Sequence, residues 1–90
     1  MRHESHPDII NRLKRADGHL QKIVRMLEEG RPCAELAQQL HAVEKAVGQA
    51  KRILVQDHVD HCLEESLNGE TDPKTARELV REFKALTKYL

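Results

Sequence analysis

After Pro32 the chain runs to Leu67 without another proline, and the one glycine on the way is Gly48. A helix from residue 32 to residue 67 is about 54 Å long at ~1.5 Å per residue. In a protein of 90 residues the remaining chain cannot wrap such a rod. The rod must therefore lie against other rods, and its apolar residues mark the contact side. Leu36, Leu40, Val43, Val47, Ala50 and Leu54 recur every three or four positions, close to the period at which helices pack side by side.

Two punctuation points bound this helix. Gly30-Arg31-Pro32 supplies a glycine suited to a helix C′ position and a proline suited to a following N1. Asn68 to Pro73 ends the long helix and starts another with Asp72 as N-cap. The expected organisation is one domain over 1–90: a flexible tail at 1–6, then helices over 7–29, 32–67 and 73–89. The first helix carries the stripe Ile9, Leu13, Ala16, Leu20, Ile23, Leu27, and the third carries Ala76, Leu79, Val80, Phe83, Leu86. With one Phe, one Tyr and no Trp, a lone protomer has little to fill a core, and small chains of this kind rely on a metal, disulfides or a partner. The fold expected is all-α, a three-helix protomer with a long central helix.

No stretch reaches the roughly 20 apolar residues of a membrane span, and MRHESHPD lacks the apolar segment of a secretory signal. A cytoplasmic protein without membrane contact is expected. In that compartment two cysteines point to metal or thiol chemistry rather than a structural disulfide. Nothing resembles a catalytic triad, a phosphate-binding glycine loop or a carboxylate pair, so no enzyme is expected. Net charge is zero, but it is segregated along the chain. Residues 1–25 hold six Lys/Arg against three Asp/Glu, 56–72 hold six Asp/Glu and no Lys/Arg, and 73–90 hold five Lys/Arg against two Asp/Glu.

His58 and Cys62 are four residues apart, so they share a helix face and can share a metal ion. The other cysteine, Cys33, is ~38–44 Å away along the same rod. An antiparallel copy of the helix removes the conflict. If two copies cross near Val47 and Gly48, residue i lies opposite about 95 − i, and Cys33 falls beside the Cys62 of a second chain. Gly48, with Ala46 and Ala50, lets two backbones approach there. The isologous dimer would carry two equivalent sites, each built from both chains. Buried cysteines and a satisfied histidine are the plainer alternative, and the convergence of three residues on one symmetric point outweighs it. His61 is expected at the surface or beside the site, and His41 in solvent.

RLKRADGHL (12–20), GRPC (30–33), QQLHAVEKAVGQAK (38–51) and DHVDHC (57–62) resemble the CsoR/RcnR/FrmR family of small helical bacterial repressors. The resemblance spans nearly the whole chain, and the Cys…His-x-x-x-Cys arrangement is its most specific part. It implies an antiparallel helical-bundle dimer paired into a homotetramer, and release of double-stranded operator DNA when the inducer binds. Cys33, His58 and Cys62 match the ligand set of the copper sensors, suited to trigonal Cu(I). The nickel and cobalt sensors add an N-terminal donor, for which His3 or His6 is available. Wording around HAVEKAV and DHVDHC is closer to the nickel/cobalt regulators, so Ni(II)/Co(II) is the first expectation and Cu(I) the second. Formaldehyde- and persulfide-responsive relatives fit less well: the former usually carry an acid where Cys62 stands, and the latter do not need His58. Glu78 resembles by position a family glutamate that supports the metal ligands. Arg12 and Arg15 fall on the family's basic DNA-contact positions, with Lys14 as a further phosphate contact. His19 stands where a glutamine is common. The alternative without DNA is a metal-binding helical-bundle adaptor or carrier.

Overall fold

The computed structural model describes residues 5–67 and 72–90, with the side chains of Ser66 and Leu67 excepted. These form three α-helices: α1 (His6–Glu28), α2 (Cys33–Leu67) and α3 (Pro73–Thr87). The all-α, three-helix reading stands. The ends differ from the pattern-based bounds by one or two residues. Pro32 lies just outside α2, its carbonyl accepting from Leu36 N–H at 3.1 Å. α3 stops at Thr87 because the N–H groups of Tyr89 and Leu90 turn back to Leu86 and Thr87, a tightening common at helix ends.

The α1–α2 turn is built on glycine geometry. Gly30 has φ +72°, its N–H donates to Leu27 O at 3.1 Å, and Arg31 N–H donates to Met26 O at 3.1 Å. That double closure is the Schellman motif, and it sends α2 back antiparallel to α1. Of the expected second turn, residues 68–71 lie outside the described residues. Asp72 accepts from Thr75 N–H at 2.7 Å and so caps α3. This bond also holds its carboxyl below the usual range.

α2 is twelve residues longer than α1. α1 covers one part of it and α3 packs on the other end, and among the described residues α1 and α3 do not pack on each other. The protomer is therefore one layer of rods, 59 × 23 × 15 Å, with a radius of gyration of 18.3 Å. A compact chain of this length would have about 12 Å.

A single layer cannot bury both faces of its helices, and the apolar stripes divide accordingly. Ile9, Ala16 and Ile23 on α1, with Leu36, Val43 and Ala50 on α2, are buried between the two helices. Ile23, Met26, Leu36 and Val43 form the centre of this contact. The other column of each stripe is left out: Leu13, Leu20 and Leu27 on α1 and Leu40, Val47 and Leu54 on α2 are 41–56% exposed. Both sets repeat every seven residues. The periodicity placed all twelve on packing faces, and the protomer uses only half of them.

Candidate metal centre and nucleic-acid interface

The exposed column on α2 continues backward, one heptad before Leu40, to Cys33. That thiol stands exposed in the first turn of α2. The opposite end of the helix is different. Cys62 is 5% exposed, seven residues after the buried Val55, under Leu79 and Phe83 of α3. These residues, with Leu63 and Val80, line a space of about 190 Å³. Burial pushes the Cys62 thiol above its ordinary value, and the carboxylates of Glu82 and Glu65 add to the shift.

His58, one turn before Cys62, is half-buried, and its Nε2 lies 2.9 Å from Glu82 Oε1. His61 Nε2 lies 2.9 Å from Glu65 Oε1, and His41 is exposed. Glu78, expected beside the ligands, is exposed; the α3 carboxylate that reaches His58 is Glu82, one turn further on. Sequence reasoning missed Glu82 because the two glutamates share a face of α3. Only the way α3 is docked on α2 separates them.

Among the described residues, no three His, Cys, Asp or Glu side chains of one protomer gather into a metal-holding group. His58 and Cys62 lie together, and Cys33 lies at the far end of the rod. His6 is the first residue of α1 and half-buried. The adjoining Ser5 faces a groove shared with Gln56, Asp57 and Asp60 of α2, so the start of α1 lies against the His58 stretch of that helix. His3 lies outside the described residues. The donor types suit a thiophilic metal, with two soft sulfurs and an imidazole, and one protomer alone offers two of these three together.

The second cluster is on α1. Arg12, Arg15 and His19, with Ala16 of α1 and Ala46 of α2, line a cleft of about 210 Å³. Arg12 Nε donates to Asp8 Oδ2 at 2.8 Å, an exposed pair of small energetic weight. His19 Nε2–H donates to Gln39 Oε1 at 2.6 Å. That bond ties the basic face to the early turns of α2, and nothing in the sequence signalled it. Lys14 is exposed and does not line the cleft.

Residues 5–88 match the family described as metal-sensitive transcriptional repressor. The chain belongs to that family, whose members are repressors and not enzymes. It is 34% identical over 80 residues to the copper-sensing transcriptional repressor CsoR of Bacillus subtilis, covering 89% of this chain and 79% of that one. It is 42% identical over 53 residues to the CsoR of Mycobacterium ulcerans, covering 59% of this chain and 45% of that one. The nickel-responsive transcriptional regulator InrS superposes over 100% of this chain and 98% of its own, with a TM-score of 0.78 and 30% identity. No described helix is long and apolar enough to cross a membrane.

Proposed function

We propose that this chain is a single metal-sensing, DNA-binding domain that represses transcription as an apo-protein and leaves its operator when Ni(II) or Co(II) binds. The observation that carries the reading is the split character of α2. The exposed heptad column that starts at Cys33 needs a partner, and the buried His58–Cys62 turn needs a third donor. An antiparallel second copy supplies both. Gly48 fits this crossing: within the protomer an added Cβ would meet nothing closer than an Arg52 guanidinium nitrogen at 3.6 Å. Its small size is not required by the chain's own packing. Two such dimers paired into a tetramer, as the family resemblance implies, would repeat the basic cleft four times.

His58 would bind through Nδ1, since Nε2 lies 2.9 Å from the Glu82 carboxylate, and a carboxylate paired there would orient the ring and raise its basicity. The Cys62 proton leaves as the thiolate binds. The placement of α1's first turns against the His58 stretch favours a fourth nitrogen donor from His6 or His3, and four N/S donors suit Ni(II). Cu(I) is the second reading. It is favoured by the sufficiency of Cys33, His58 and Cys62 for a trigonal site and by the copper-sensing names of the relatives.

The apo-protein would hold DNA through Arg12 and Arg15 on phosphates, with arginine also able to read guanine edges. Lys14 would meet phosphates from the flank of the helix. Metal would draw the two ends of opposed α2 helices together. The shift would pass to α1 through the shared core and the His19–Gln39 bond. Moving occupancy from 99:1 to 1:99 takes about 5.5 kcal/mol of differential metal binding, and by linkage DNA must weaken metal binding equally. A repressor with this mechanism works in the cytoplasm.

The test is release of the chain's own promoter DNA titrated with Ni(II), Co(II), Cu(I) and formaldehyde, with His3→Ala and His6→Ala beside the parent. Release by Ni(II) or Co(II) that the tail variants blunt is expected. Release by Cu(I) with no effect of the tail transfers the proposal to the trigonal site. Release by formaldehyde alone, or DNA binding that ignores every metal, defeats it.

A further inference from the structure

α3 has a face that neither the metal site nor the α1 cleft uses. Lys74, Arg77, Arg81, Lys84 and Lys88 are spaced 3, 4, 3, 4, so they lie in one row along the helix. All five are exposed. Among the described residues none of them forms an ion pair or a side-chain hydrogen bond, whereas Arg12 and Arg31 are each matched by an acid four residues away. At ~3.6 residues per turn the row is centred about 170° around α3 from Leu79, Phe83 and Leu86. Docking those apolar residues on α2 therefore turns the cations outward. Of the two acids on α3, Glu82 lies 2.9 Å from His58, and Glu78, four residues after Lys74 and three before Arg81, forms no ion pair with the row among the described residues. A chain of zero net charge has here a concentrated and unpaired cationic edge.

We infer that this row is a second polyanion contact, seated on the phosphates of duplex DNA flanking the stretch held by the α1 cleft. The inference rests on the DNA-binding reading above. Its physical basis is a match of charge density. The row is about 21 Å long, and one strand of a duplex presents a phosphate every ~3.4 Å of axis, or about six over that length. The position suits a flank and not the same phosphates. The cleft lies beside Ala46 and α3 docks beside Cys62, sixteen residues apart along α2 and thus about 24 Å. Along the 59 Å axis of the protomer that separation corresponds to about seven base-pair steps of a duplex.

The experiment compares two promoter duplexes, one trimmed to the minimum bound length and one extended by about 20 base pairs on each side. Binding of the parent and of the triple variant Arg77→Gln/Arg81→Gln/Lys84→Gln is measured against salt. The minimal duplex should bind both alike. On the extended duplex the parent should show a steeper dependence of log affinity on log salt, and the variant should lose about 0.9 of slope for each phosphate contact removed. The charge-preserving variant Arg77→Lys/Arg81→Lys should keep the parent's slope. Equal slopes for parent and triple variant on the extended duplex overturn the inference, as does equal loss on both duplexes or loss in the charge-preserving variant. Row-dependent binding to phosphatidylserine vesicles with no change on the extended duplex assigns the row to anionic lipid and overturns it too. If the parent binds neither duplex, the DNA reading itself has failed and takes this inference with it. Binding of the minimal duplex alone leaves that reading intact while the row is rejected.

Discussion

The two ends of α2 are built for different surroundings. At its start Cys33 is exposed, in register with Leu40, Val47 and Leu54, and no described part of its own protomer covers that column. At its far end Cys62 is buried beneath α3, with His58 held against Glu82. One thiol waits for a neighbour, and the other is already enclosed. On the proposed reading the difference assigns the two roles to two chains: one would deliver a ligand from an open helix start, and the other would provide a pre-shaped pair. It also separates stability from metal binding, because a side chain can matter to the site while contributing nothing to the protomer.

Cys33→Ala should give the largest effect. It is expected to weaken metal binding at least 100-fold, read by competition with a chromophoric chelator. Thermal stability of the apo-protein should stay within about 0.5 kcal/mol, as for other exposed substitutions. Cys62→Ala should lose the metal equally but also destabilise the apo-protein by about 1 kcal/mol, because its sulfur fills space under Leu79 and Phe83. If Cys33→Ala holds metal as the parent does, the two-chain site is wrong. Glu82→Gln comes next, at roughly 10–100-fold in metal affinity, the usual range for a group that orients a ligating histidine. Glu78→Gln should do much less, and the reverse order would mean that assembly redocks α3.

The helices were legible because their signals are local. Gly30 in a left-handed turn, Asp72 at a cap and two seven-residue columns per stripe are all consequences of residue type at a given spacing. The separation of Cys33 from His58–Cys62 followed from the rise of a helix alone. Three things were not legible. Which half of each stripe the protomer would bury depends on how α1 rolls against α2, and Ile9 and Leu13 look alike to a periodicity count. The choice between Glu78 and Glu82 depends on docking of α3, as does the burial of Cys62. The His19–Gln39 bond joins residues twenty positions apart and carries no pattern at all.

Gly48 sharpens the comparison from the middle of the rod. Replacing it by Leu in an isolated helix should stabilise that helix by somewhat under 1 kcal/mol, and the protomer has room for a first carbon there. At a helix crossing the same side chain would hold two backbones apart. Gly48→Leu is therefore expected to raise helix content while raising the dissociation constant of the assembly at least tenfold, measured by sedimentation over a range of concentrations. Unchanged association would move the crossing elsewhere and take the Cys33–Cys62 pairing with it.

The smallest effect is a pH dependence confined to the enclosed end. Because burial and nearby carboxylates raise the Cys62 thiol above its ordinary 9.0, the folded chain retains a proton that the unfolded chain has given up once the pH passes that value. Stability linked to this group is therefore whole below about pH 9 and declines as pH climbs toward the raised value, by at most about 1.4 kcal/mol per pH unit. Thermal unfolding of the apo-protein compared with Cys62→Ala should reveal the decline as a difference that grows only above pH 9. Metal held by Cys62 would reverse the preference, since a ligating thiol binds as the thiolate and gives up its proton. Affinity should then rise with pH throughout the neutral range, by up to tenfold per unit for each thiol proton displaced. A parent and variant that lose stability in parallel above pH 9 would show that Cys62 is no better shielded from water than in the unfolded chain. The contrast between an open and an enclosed end of α2 would then have no energetic content.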